Sequence, residues 1–394
     1  MDRRLLVLTL GMFAVGTDSF VVAGILPQLS HTFEVSIEAA GQMTTIYAIT
    51  YAVLAPTIGA LAAGVRRKSL LFWSLALFVV ANLATALSPT FAIAMATRVL
   101  AGVSAAMFAP TATGVAAMLV PPERRGFALA VVAAGLSGST ALGTPIGAVI
   151  GNLGDWRWTM VFVAGLAALA WIGTKALLPE VPKPPKFTLT QRLKPVADAR
   201  IGFTLLTTLL TMSGIFAAYT YFTVVFDRAI GGDGIVLGGL LVLWGLAGTV
   251  TNFLSGRLID AIGSRKVLLL LLSVQAIDTA LLPWTGAQLW TAAIAIAIWG
   301  GSAWGYLVPQ QHRLVSVAPQ AGPVVLGLNN SCSYLGVSIG GVVGAFGIQF
   351  IGPHYLGLIG AGLVFAALVS AELASRLINA AEVGITVSAG ASTS

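Results

Sequence analysis

Apolar residues run in stretches of roughly 18 to 28 positions, the length that crosses a bilayer as helix, and short polar connections separate them along almost the whole chain. Twelve stretches predict membrane-spanning helices: Leu5–Leu29, Ala39–Ala63, Leu70–Leu87, Phe91–Leu119, Phe127–Ile150, Thr159–Leu178, Ile201–Phe226, Ile235–Ile259, Val267–Leu282, Leu289–Val308, Val324–Ile351 and Tyr355–Leu377. The ninth is the shortest. Backbone exposed to lipid must satisfy its own hydrogen bonds, which leaves helices or closed barrels, and no stretch shows the ten-residue alternation of a barrel strand. The expected fold is an all-α membrane protein.

The longest polar connection, PEVPKPPKFTLTQRLKPVADAR from Pro179 to Arg200, divides the twelve into six and six. Pro182, Pro184 and Pro185 bar a helix at its start, and the basic remainder can lie on the membrane surface. The expected organisation is a six-helix bundle over 1–178, a linker over 179–200, a second bundle over 201–378, and a small, polar, disordered tail over 379–394. The halves read as repeats. Gly59 to Lys68 answers Gly256 to Arg265 at an offset of 197, and Pro122 answers Pro319 at the same offset. Gly143, Gly147 and Gly151 in the fifth span answer Gly336, Gly340 and Gly344 in the eleventh at 193. Such a near-constant offset marks an internal duplication.

Composition agrees, with 57% hydrophobic and 9% charged residues, far from a soluble domain. The charges also test the span count. With the N-terminus inside, every basic residue of the 21 except Arg98, Arg157 and Arg228 falls in the even-numbered connections or the tails, which places both termini in the cytoplasm. The formal charge of +7 is therefore a topology signal spread over short loops rather than a nucleic-acid footprint. Arg3 and Arg4 precede an apolar run too long for a signal peptide and interrupted by Asp18, so it reads as an uncleaved first helix.

Few residues are placed for chemistry. Cys332 is the single cysteine, and His31, His312 and His354 lie far apart without a metal-binding spacing. Gly336-Val337-Ser338-Ile339-Gly340 fits GxSxG, but it lies inside an apolar helix rather than on a strand-to-helix turn. GxxxxGK(S/T) is absent, so no nucleotide hydrolysis is expected and no cofactor or metal is implied. Asp18 is the conspicuous residue. It sits mid-way along an otherwise uncharged span, where a carboxylate costs several kcal/mol unless it is used. A buried acid favours its neutral form and can exchange a proton when water reaches it, although a permanent structural hydrogen bond is the alternative. Arg98, about seven residues inside the outer end of the fourth span, needs an acceptor. Asp18 is the nearest by depth; a backbone carbonyl, an anionic cargo or snorkelling to the interface would also serve. Asp278, mid-way along the ninth span with Gln275 one turn before it, fits a polar patch against a neighbouring helix better than a second proton site.

With these residues in view, the whole chain resembles the major facilitator superfamily of transporters. The eighth-to-ninth connection is similar to that superfamily's loop motif through Gly256, Asp260, Gly263, Arg265 and Lys266; the first-half copy keeps Gly59 and Arg66-Arg67-Lys68 but has Ala63 at the acidic position. Arg98 and Gly102 in RVLAGVSAA are similar to the arginine motif of drug:proton antiporters, and GSTALGTPIGAVIG, with Gly143, Pro145 and Gly147, to their fifth-helix motif. The opening GMFAVGTDSFVVAGILPQLS is similar to bacterial exporters of drugs, sugars or nucleosides. The resemblance implies proton-coupled efflux by a monomer in a bacterial inner membrane. It places helices one, four, seven and ten around a central cavity and helices two, five, eight and eleven at the rocking contacts. Asp18 and Arg98 would then couple protons. Tyr219, Tyr221, Phe222, Met107, Phe108, Trp299 and Trp304 would meet a small amphipathic cargo by stacking, with Asn329 and Asn330 supplying directional hydrogen bonds. Gly59, Gly143, Gly147, Gly256, Gly336 and Gly340, with Pro145, Asp260 and Arg265, would serve the conformational change. A sugar or nucleoside exporter is the alternative within the fold; a membrane enzyme or sensor is the alternative outside it.

Overall fold

The computed structural model describes residues 2–181 and 188–391, the side chains of 59, 60, 63, 122 and 382–391 excepted. Pro182, Pro184 and Pro185 thus lie outside the described residues. Eleven described helices are long and apolar enough to cross a bilayer, and Ile37–Leu61, with 25 residues, takes the place of the second. The first helix is Arg3–Val21, extended past a short tight turn by Leu26–Phe33. The third to sixth are Arg67–Ala86, Phe91–Met118, Arg125–Leu153 and Trp156–Leu177. The seventh is Ala199–Tyr219, and the eighth and ninth are Gly234–Ile262 and Ser264–Thr285. The tenth runs as Leu289–Gly305 and Leu307–Val317, the eleventh as Gly322–Ile351, and the twelfth as Leu356–Ala391.

Several boundaries differ from the apolar pattern for local reasons. The ninth helix gains a turn at each end because Arg265 and Lys266 reach the interface and do not break helical geometry. The twelfth continues through Ala391 rather than giving way to a disordered tail at 379: no proline follows Leu377, and Ala380, Ala381 and Glu382 are good helix formers. The fifth contains one wide turn, Ser139–Gly143, just before Pro145. Proline has no N–H to return to the carbonyl four residues back, and the turn widens there. In the linker, Thr188 and Gln191 form a reciprocal cap on the short helix Leu189–Leu193.

Helix one packs on five and six, three on four and six, and two on four. In the second half, seven packs on eleven and twelve, eight on ten, and nine on ten and twelve. Two main pairings join the halves: the second helix with the eleventh, and the fifth with the eighth. Twelve crossings place the chain start and the even-numbered connections on one face of the molecule, here the basic face. From the opposite face to mid-depth the halves are tightly joined. Gly41 faces the Tyr221 ring, Gly234 faces Asn152, Gly238 faces Val149 and the Pro145 carbonyl, Gly341 faces Thr45, and Gly245 lies on the backbone of Thr140 and Ala141. A Cβ on Gly114, Gly256 or Gly327 would meet nothing within 4 Å.

Candidate functional site

Asp18 lies one turn before the first helix breaks at Val22–Gly24, and Arg98 comes from the fourth helix at the same depth. The two side chains are wholly buried and paired as a fork, with Arg98 Nη1 donating to Asp18 Oδ1 at 2.8 Å and Nη2 to Oδ2 at 2.9 Å. Arg98 also stacks over the Tyr47 ring, 4.8 Å from its centroid, the planar-cation contact that guanidinium makes well. Of the acceptors open to Arg98 in the sequence, the structure supplies Asp18. Two buried charges so paired offset much of their desolvation, and removing either leaves the other uncompensated at about 3–5 kcal/mol.

Tyr47, whose ring lies under Arg98, and Ser19, next to Asp18 in the chain, link this site to the other half. The Ser19 hydroxyl lies 2.8 Å from the Val15 carbonyl, 3.0 Å from the Tyr47 hydroxyl and 3.3 Å from that of Tyr334 on the eleventh helix. Tyr334 stacks on Tyr51 with centroids 3.8 Å apart, and Asn330 Nδ2 donates to the Tyr51 hydroxyl at 2.7 Å. Tyr47 and Tyr51, four apart, thus present one face of the second helix to the eleventh. Asn330 is exposed while Tyr51 and Tyr47 are buried, so a run of hydrogen bonds and ring contacts leads from the surface toward the ion pair. Asn329 is held differently: the Thr208 hydroxyl donates to its Oδ1 at 2.7 Å, and Gln310 Nε2 donates to Thr208 at 3.1 Å.

The aromatic residues gather in the second half. Tyr219 packs on Trp244 at 4.4 Å, Phe222 stacks parallel to Trp299 at 6.2 Å, and Trp304 meets Trp244 and, across the halves, Phe20, each at 5.6 Å. Phe20 also meets Phe216 and Tyr219. The Tyr219 and Tyr306 hydroxyls and the indole N–H groups of Trp244, Trp299 and Trp304 are buried without a partner among the described residues. The cluster thus presents donors and π-faces with no acceptor set against them. Tyr221 stands apart from it. Its hydroxyl donates to the Gly341 carbonyl at 2.8 Å and receives Gln42 Nε2 at 3.3 Å, so it belongs to the seal on the face opposite the basic one. Phe108 is buried against Gly11, and Met107 beside it is half-buried.

The glycines sort in an unexpected way. Gly143, Gly147 and Gly151 receive Thr17, Val21 and Ile25 of the first helix; Gly336, Gly340 and Gly344 lie on the backbone of the seventh around Leu209, Ser213 and Ala217. Both sets therefore tighten a helix pair within one half and are not the contact between halves. That contact uses other glycines, among them Gly41 and Gly238, which also stand 197 apart and occupy matching places in the two halves. Gly256 is in open space, Asp260 is exposed and in no ion pair among the described residues, and Arg265 donates to Glu372 of the twelfth helix at 2.8 Å, within its own half. Gly59 is helical, with its surroundings outside the described side chains. Sequence reasoning missed Ser19, Tyr47, Tyr51, Tyr334, Phe20 and Trp244; the four-residue spacing of Tyr47 and Tyr51 was the available signal for two of them.

Known proteins bear on this arrangement. Residues 8–341 match the family model described as Major Facilitator Superfamily. The inner membrane transport protein YdhP of Escherichia coli O157:H7 is 30% identical over 352 residues, 88% of this chain and 90% of that protein. A probable sugar efflux transporter of Helicobacter pylori J99 is 28% identical over 361 residues, 91% of each. The crystal structure of the human organic anion transporter MFSD10 shares the fold, with a TM-score of 0.71 at 18% identity over 94% of this chain and 99% of that one. Twelve helices packed as two sets of six, a buried ion pair beside the join and this match over most of the length lead to one conclusion: the chain belongs to the major facilitator superfamily and is a multi-pass membrane transporter, not an enzyme.

Proposed function

We propose that the protein is a proton-coupled exporter of small amphipathic or aromatic compounds, working by alternating access as a monomer in a bacterial inner membrane. The observation that carries this reading is the fully buried fork between Asp18 and Arg98, beside which Tyr47 and Ser19 meet Tyr334 of the other half. A proton on Asp18 removes one of the two charges and weakens the fork. The Arg98 guanidinium then turns to other acceptors, Ser19 and the tyrosine hydroxyls re-partner, and the hold of the second helix on the eleventh changes with them. Protonation thus shifts the balance between two arrangements of the halves. The excess of positive charge on the even-numbered connections supports a cytoplasmic basic face and cytoplasmic termini.

The unpartnered donors around Tyr219, Trp244, Trp299 and Trp304 support a cargo that brings rings and hydrogen-bond acceptors. Aromatic faces and donors also suit a sugar, and the sugar-efflux name carried by the Helicobacter pylori relative favours that second reading. Both are tested in proteoliposomes with an imposed pH gradient, using a panel of aromatic dyes and labelled sugars. Wild type should concentrate its cargo against a gradient. Asp18→Asn should lose gradient-driven uptake and keep downhill exchange; full gradient-driven transport by this variant removes Asp18 from the coupling role, and accumulation of a sugar but no dye selects the second reading.

A further inference from the structure

The two buried acids are in opposite situations. Asp18 has a cation in contact with both of its oxygens, so its charge is balanced. Asp278, 7% exposed on the ninth helix, has none: no ion pair among the described residues includes it, and its Oδ2 is enclosed without a partner. One turn earlier, the wholly buried Gln275 accepts from the Ser302 hydroxyl through Oε1 at 2.6 Å, while its Nε2 is also unpartnered. Thr279, the next residue, donates to the Gln275 carbonyl at 2.6 Å. The Gln275–Ser302 bond ties this group to the tenth helix beside Trp299.

Every element packed on the ninth helix lacks a balancing charge at this depth. The tenth, over Leu289–Gly305, has no ionisable carboxylate, base or imidazole; its continuation Leu307–Val317 carries the exposed His312 and the buried Arg313 toward the basic face; and the eighth has none between Asp233 and Arg257. On the twelfth the first charge is Glu372, already paired with Arg265 near the basic face, where Arg313 is spent on the Ala371 carbonyl and Ser375. At the other end His354 meets Asp227, and Arg228 donates to the Pro283 carbonyl five residues past Asp278, about 7 Å further along the axis. An enclosed carboxylate with no counter-charge is the state that proteins avoid by binding a cation, and a proton is the one that needs no further oxygen ligands.

We propose that Asp278, with Gln275, is a second proton-binding site, in the half of the molecule that lacks the ion pair. It takes a proton from water onto one carboxylate oxygen and returns it to water, so that each half carries one buried acid, held by a guanidinium in the first and by a proton in the second. This goes beyond the proton-coupling role proposed for Asp18 and holds even if Asp18 never titrates.

The test uses full-length wild type in lipid nanodiscs and dicyclohexylcarbodiimide, an apolar reagent that adds to protonated carboxyl groups, with adducts located by peptide mass spectrometry across about pH 5 to 9. The Asp278 adduct should form at neutral pH and fall about tenfold for each pH unit above its midpoint, with Na⁺ making no difference at fixed pH. No adduct on Asp278, an adduct independent of pH, or one suppressed by Na⁺ overturns the assignment. Infrared spectra give a second reading: a carboxylic-acid carbonyl band at neutral pH should persist in Asp18→Asn and disappear in Asp278→Asn, and the reverse overturns it.

Discussion

At the scale of single residues, the ion pair is the part most open to energetic test. Asp18→Asn and Arg98→Gln each strand one buried charge and should lower stability by about 3–5 kcal/mol, whereas the double variant should recover much of it. Thermal melts of the four proteins measure this as a double-mutant cycle. A double variant as unstable as the sum of the singles would mean the two charges do not interact. Tyr334→Phe asks a narrower question, since it keeps the ring on Tyr51 and removes only the hydroxyl beside Ser19. It should leave the fold intact and weaken the pH dependence of transport. Asp18 and Arg98 were legible in the sequence because a charge inside an apolar run has few explanations. Tyr334 and Tyr51 were not, because a tyrosine in a membrane helix is ordinary until its partner is known, and the setting of Asp278 was not, because sequence alone does not show whether a counter-charge faces it.

At the scale of helices, the pattern of apolar runs gave their number and order, and the repeat offset singled out glycines four apart that face another helix closely. It did not identify their partners. A close-packed face reads the same whether it meets a helix of its own half or of the other, so Gly143, Gly147, Gly336 and Gly340 pointed equally well to both. The structure separates the two cases, and substitutions should separate them too. Gly340→Ala places a Cβ on the seventh-helix backbone at Ser213 and Ala217 and should cost about 1–3 kcal/mol of stability through overpacking. Gly245→Ala presses instead on Thr140 and Ala141 of the opposite half, where the strain is relieved by moving the halves apart. It should therefore change the population of conformations more than the melting temperature. Labelling of Asn152→Cys by a membrane-impermeant maleimide, in a Cys332→Ser background, should rise with Gly245→Ala and stay unchanged with Gly340→Ala. The linker adds a smaller effect. Arg200 beside Asp198 holds that carboxyl below its usual range, so the contribution of this pair and helix cap is present at neutral pH and is lost as pH falls through the lowered value.

At the scale of the molecule, alternating access requires that the join between the second and eleventh helices open during each cycle, and the geometry offers a direct way to prevent it. A Cβ on Gly341 would lie 3.6 Å from Thr45 Cβ across the two halves, within the spacing of a disulfide. Gly173 stands in the same relation to Val7, also 3.6 Å, but both belong to the first half. With Cys332 replaced by serine, Thr45→Cys/Gly341→Cys should form a bond on oxidation that halts transport, and reduction should restore it. Val7→Cys/Gly173→Cys should form a bond of the same kind and leave transport nearly unchanged, because a rigid half can rock as one body. The control matters, since it separates loss of motion between the halves from oxidation damage or general stiffening. Transport that continues with the Thr45–Gly341 bond fully formed would mean that this join stays shut throughout the cycle and that cargo crosses by another path.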